Sequence, residues 1–170
     1  MLMIYLFIFF AKIIEVSFMT LRVVFITKGE KVYGSIIGFF EVVIWLGLIG
    51  SVLDGIQDDP LRMIAYSLGF ACGNYVGSFI EEKLAIGLMT INIIATEDNG
   101  RKLANILRNK KIGVTVVDAE GIEKSRNLLI IHAKRRRKSE ILKLIDDTNI
   151  PAVISVNDTK VIYGGYGIRK

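Results

Sequence analysis

Four ionisable side chains stand inside stretches otherwise suited to the interior of a bilayer. Lys12, Glu15 and Arg22 interrupt the apolar run 2–25, and Glu41 interrupts the run 32–53. With Met19, the first three fall at i, i+3, i+7 and i+10, so a helix turns them the same way. Counted from the basic link between the two runs, Glu15 and Glu41 lie at matching depths, roughly 15 Å by helix rise. Charge that deep is costly and faces a bundle interior or a wet cavity. Two chemistries follow. The four residues form a polar track for an ion, proton or small solute, with Glu15 and Glu41 as stations and Lys12 and Arg22 setting their charge. Alternatively, they are buried ion pairs that fix how helices pair.

The other concentration of charge is Lys134-Arg135-Arg136-Arg137-Lys138. Such a run grips anionic headgroups, holds the phosphate of a small anionic ligand such as a nucleotide, or is a solvated connection. No aromatic platform or base-reading motif accompanies it, which argues against nucleic acid as a partner. The tail from Tyr163 to Lys170 has glycines that permit close backbone approach and two rings able to stack on a base. It lacks the strand-then-helix setting of a phosphate loop and reads as a flexible end. His132 is the sole histidine and Cys72 the sole cysteine. Neither has the companions that a metal site, disulfide or catalytic pair requires. The expectation is therefore a protein without catalytic residues, metal or cofactor, not an enzyme.

The elements that must position these residues divide the chain in two. Up to Lys83 the net charge is −2, and from Leu84 onward it is +7. The first part, 1–83, carries three apolar runs of spanning length, 2–25, 32–53 and 61–80. A signal peptide is excluded by the absence of a basic start and a small-residue cleavage site. The link Thr27 to Lys31 is short enough to force the first two helices antiparallel. An acidic turn from Asp54 to Asp59, with Pro60 at a helix start, opens the third span. Small residues recur at helical spacing as Gly69, Gly73 and Gly77, and as Gly34 and Gly38, giving smooth faces for a neighbouring helix. Three helices offer little room to hide ionised groups, so a homo-oligomer is expected. The basic first link and basic second half belong on the cytoplasmic side, which puts the N-terminus outside.

From Leu84 the period changes. Met89, Ile91, Ile93 and Ala95 alternate with a second set, the two-residue repeat of a half-buried strand. A helix is predicted from near Asp98 with Leu103, Ile106 and Leu107 on one face, stopped at Gly113. Strands follow at 114–119 and 128–133, then a helix opening near Ser139 and a strand at 152–156. Asn157-Asp158 is expected to turn the chain into a short extension, 160–163. The order is βαββαβ, a ferredoxin-like α+β unit over 84–170.

Gly113-Val114-Thr115, Gly121 and Val156-Asn157-Asp158 ahead of a glycine tail resemble the YitT-type C-terminal domain of unknown function. With Thr20-Leu21-Arg22 and the span bearing Gly34, Gly38, Glu41 and Trp45, the whole chain is similar to a family of uncharacterised bacterial membrane proteins carrying that domain. The resemblance implies a multi-pass plasma-membrane protein with a cytosolic ferredoxin-like domain, related in shape to trimeric PII-type signalling proteins that bind nucleotides between subunits. It brings no catalytic residue or ligand.

These observations give an α-helical transmembrane bundle of three spans followed by a cytosolic α+β domain. Two functions fit: a ligand-sensing, oligomeric, regulated transporter or channel, or a non-transporting membrane-anchored signalling or scaffold protein.

Overall fold

A computed structural model describes residues 2–53, 59–160, 164 and 166. The chain forms two compact units, Met1–Ala85 and Ile86–Lys170.

The first unit is three helices, α1 (Leu2–Thr27), α2 (Lys31–Leu53) and α3 (Leu61–Leu84), each long and apolar enough to cross a membrane. At 1.5 Å per residue all three exceed the roughly 30 Å of a hydrocarbon core. α1 is the middle helix, packed on both α2 and α3, which barely touch each other. Its buried side chains include Ile8 and Val16. Phe7, Phe10, Phe39, Phe40, Leu68 and Phe79 stay exposed on the outer surfaces, an arrangement that water would penalise and lipid tails accept. α1 and α2 each extend past the apolar run, so only Lys28, Gly29 and Glu30 remain to link them. α3 likewise continues through Glu81, Glu82 and Lys83, all good helix formers, and ends where Ala85 turns left-handed and donates its N–H to Glu81 O at 2.9 Å. Pro60 sits at its N-cap position, one residue ahead of the first turn. The acidic turn 54–58 lies outside the described residues.

The second unit runs β1 (Leu88–Thr96), α4 (Glu97–Asn109), β2 (Thr115–Glu120), β3 (Ser125–Lys134), a 3-10 turn (Arg135–Arg137), α5 (Lys138–Asp146) and β4 (Val153–Thr159). The strands form one antiparallel sheet in the order β2-β3-β1-β4, the ferredoxin-like arrangement. Met89, Ile91, Ile93, Leu129 and Ile131 point to one side, where Leu103 and Leu107 of α4 and Ile141 and Ile145 of α5 complete the core. Thr90, Asn92 and His132 stand on the other side in register. The chain is thus a three-span transmembrane bundle followed by an α+β domain.

One sequence expectation is corrected. Asn157 and Asp158 do not turn the chain: they continue β4, opposite Thr90 and Met89. The turn preference of this dipeptide is outweighed by the strand ladder, and Asp158 also meets Arg135, Oδ1 to Nε, at 3.3 Å. Of the expected extension, 161–163 lie outside the described residues.

Candidate functional site

The intramembrane charges are positioned by α1 lying between two glycine faces. On α3, an added Cβ at Gly69 would stand 2.7 Å from Phe9 O and 2.9 Å from Lys12 Cβ, and one at Gly73 would stand 2.7 Å from Val16 Cβ. At Gly77 it would stand 2.7 Å from Thr20 Oγ1. On α2, Gly34 receives Ile26, and Gly38 receives the stem of Arg22, whose Cδ is 2.9 Å from where a Cβ would sit. Both stripes are therefore filled by the chain's own α1. Two of their glycines seat the very residues that carry charge.

Lys12 and Glu15, one turn apart near the middle of α1, form an ion pair at 2.5 Å with both side chains about 5% exposed. The close approach of Lys12 Nζ gives Glu15 Oε2 its counter-charge. Lys12 Nζ also donates to Tyr66 OH at 2.8 Å and lies 4.2 Å from the Tyr66 ring centroid. Its charge is thus met by a carboxylate, a hydroxyl and a π face, the set that makes burial of an ammonium tolerable.

Arg22 and Glu41 form the second pair, across helices. Arg22 Nε donates to Glu41 Oε2 at 2.6 Å and Nη2 to Oε1 at 3.1 Å, the two-pronged geometry that best holds a carboxylate. Glu41 is the more enclosed partner, with its side chain 11% exposed against 35% for Arg22. The four residues therefore divide into two neutral pairs sharing no member. One stands against α3 and the other against α2.

A tie that sequence reading did not single out links the helices where α3 begins. Tyr5 OH donates to Asp59 Oδ2 at 2.7 Å, Arg62 Nε lies 3.6 Å from the same oxygen, and Arg62 Nη1 donates to Ser51 O at 3.1 Å. One acid and one base so connect α1, α2 and α3. The signal was a lone hydroxyl near the start of one span and an Asp-Pro-Leu-Arg opening on another, separated by 54 positions.

The basic run is dispersed by its conformation. Lys134 ends β3, Arg135 to Arg137 make the 3-10 turn, and Lys138 opens α5. Arg137 forks onto Glu140 at 2.9 and 2.7 Å, and these hydrogen bonds hold the Glu140 carboxyl below its ordinary range. Arg135 donates its backbone N–H to Gly87 O at 3.1 Å and faces Asp158. Lys134, Arg136 and Lys138 are exposed. His132 projects from the open sheet side, its Nδ1 2.9 Å from Thr90 Oγ1. Cys72 is exposed on α3. Among the described residues no group of three histidine, cysteine or acidic side chains is placed to hold a metal.

Two domain families match. One is described as "Domain of unknown function (DUF5698)" and covers residues 20–78, and the other as "Uncharacterized protein conserved in bacteria (DUF2179)", of YitT type, and covers residues 112–164. A UPF0316 protein of Clostridium botulinum (strain 657 / Type Ba4) is 64% identical over the full length of both chains. One from Alkaliphilus oremlandii is 40% identical over 168 residues, 98% of this chain and 96% of its own. A crystal structure of a functionally unknown protein from Pediococcus pentosaceus covers 48% of this chain and all of its own, at 12% identity and a TM-score of 0.43. With full-length identity of this order and helices built for lipid, the chain belongs to the UPF0316 family of bacterial proteins.

Proposed function

We propose that the chain is a non-transporting anchor of the plasma membrane that holds a signalling or scaffold domain in the cytosol. The observation that carries this reading is the closure of both intramembrane acids by basic residues of the same chain. A carboxylate serving as an ion station has to exchange partners during each passage. Glu15 is locked to a lysine one turn away, itself bound to Tyr66, and Glu41 is gripped at both oxygens. Lys28 and Lys31 at the first link and the +7 of the second half support an inside position for both, with the N-terminus outside. With both glycine stripes filled by α1, a homo-oligomer would have to use the outer sides of α2 and α3.

The test is flux. Full-length protein reconstituted into liposomes, with an imposed gradient of protons, sodium or potassium, is expected to leak no faster than empty liposomes. Flux above that background, lost in Glu15→Gln or Glu41→Gln, would replace the anchor with a regulated transporter.

The basic run supports a lipid contact in the same reading. Three of its five basic residues, Lys134, Arg136 and Lys138, are exposed. Each basic group near an anionic leaflet contributes about 1 kcal/mol. Amide hydrogen exchange at 134–138 is therefore expected to be slower in nanodiscs containing phosphatidylglycerol than in phosphatidylcholine alone. Changing Lys134, Arg136 and Lys138 to Ser should abolish the difference. Equal exchange in the two lipids would leave the run a solvated connection.

A further inference from the structure

The C-terminal unit contains a cavity of about 380 Å³ whose wall is assembled from separate segments of the chain. Arg108 comes from the last turn of α4, and Gly113, Val114 and Thr115 come from the approach to β2. Ile130 and His132 come from the open side of β3, and Tyr166 comes from the tail. Local backbone chemistry brings these together. Lys111 takes a left-handed conformation (φ 58) and Ile112 N–H donates to Leu107 O at 3.0 Å, so the chain reverses at once after α4. Gly113 then leaves room for Tyr166. A Cβ there would lie 3.1 Å from Tyr166 Cβ and 3.4 Å from Tyr166 O.

The chemistry of the wall is one-sided. Arg108 donates Nη2 to Val114 O at 3.1 Å, which fixes a permanently charged guanidinium at the rim while leaving it further donors. His132 has Nδ1 engaged by Thr90, which leaves Nε2 as its second ring nitrogen, and Thr115 adds a hydroxyl. Among the described residues no carboxylate lines this cavity. Opposed to these polar groups are the aliphatic surfaces of Val114 and Ile130, and the Tyr166 ring, whose residue is 68% exposed. The volume lies in the range of small-molecule sites and is far larger than an inorganic anion needs.

We propose that this cavity binds a small anion bearing a flat ring, with Arg108 taking the charge, helped by His132 and Thr115, and Tyr166 stacking on the ring. Occupation holds Tyr166 beside Gly113, which supplies the anchored domain with a ligand-dependent state. The proposal deepens the signalling half of the reading above and rests on it only for the use made of binding.

The experiment is calorimetric titration of the full-length protein in nanodiscs with adenosine monophosphate, adenosine and inorganic phosphate. Adenosine monophosphate is expected to bind saturably at about 1 mM or tighter, ahead of either fragment. Arg108→Ala should weaken it roughly tenfold through loss of the charged hydrogen bonds. Tyr166→Ala should weaken it by about the same factor through loss of stacking. Lys102→Ala, exposed on α4 and away from the cavity wall, should leave it unchanged. Absence of saturation at about 10 mM would overturn the proposal, and so would equal weakening by Arg108→Ala and Lys102→Ala. Adenosine monophosphate and phosphate binding alike, with no effect of Tyr166→Ala, would overturn the ring. A negative result here leaves the flux measurement unaffected, so the two readings fail separately.

Discussion

Exchanging Lys12 for methionine is expected to destabilise the helical bundle by about 3 kcal/mol or more. The variant removes an ammonium that three groups enclose and leaves Glu15, 5% exposed at mid-span, without its counter-charge. Glu15→Gln should cost about half as much, because Lys12 keeps its bond to Tyr66 and its place over the Tyr66 ring. Unfolding of each variant by steric trapping in bilayers provides the measurement. The opposite order, with Glu15→Gln the more damaging, would mean that the carboxylate holds more than Lys12.

Placing leucine at Gly73 is expected to cost about 3 kcal/mol by the same assay and to part α1 from α3. The first added carbon meets Val16 Cβ at 2.7 Å and Ile13 O at 3.1 Å. A Cβ is fixed by its own backbone and the carbonyl oxygen is held in a helix, so neither yields to a rotamer change and the helices must separate. Gly47 and Gly50 on α2 are the internal comparison, since a Cβ at either meets nothing within 4 Å. Leucine at those two positions should be neutral or slightly stabilising through helix propensity, a gain below about 1 kcal/mol per site. Equal losses at Gly73 and Gly47 would show that the tight seat of α1 does not matter.

The two effects share a cause that only the folded chain displays. Long apolar runs and two-residue alternation declare the three spans and the strands because each signal is local, written within some twenty residues or fewer. The βαββαβ order was legible for the same reason. Which helix lies in the middle was not. Glycines at 69, 73 and 77 look alike whether they meet another copy or the chain's own first helix, and nothing local tells the difference. Lys12 and Arg22 share a helix with Glu15, yet Arg22 finds its partner on α2 while Lys12 finds hydroxyl and ring on α3, a division set by the placement of α1. Tyr66 went unnoticed because a tyrosine in a span reads as packing. Asn157-Asp158 misled for the reverse reason: a strong local turn preference yields to ladder pairing with β1 and to Arg135. The cleft under Tyr166 is built from segments too far apart in sequence for any pattern to join them.

On the proposed reading the membrane charges neutralise one another, so Lys12 and Glu15 are dispensable together but not singly. The decisive comparison sets the double variant Lys12→Met/Glu15→Leu beside its two single variants in the same bilayer. Removing both partners is expected to restore stability to within about 1 kcal/mol of the parent, with a coupling of about 2 kcal/mol or more between the sites. Losses that simply add, with no coupling, would contradict that reading.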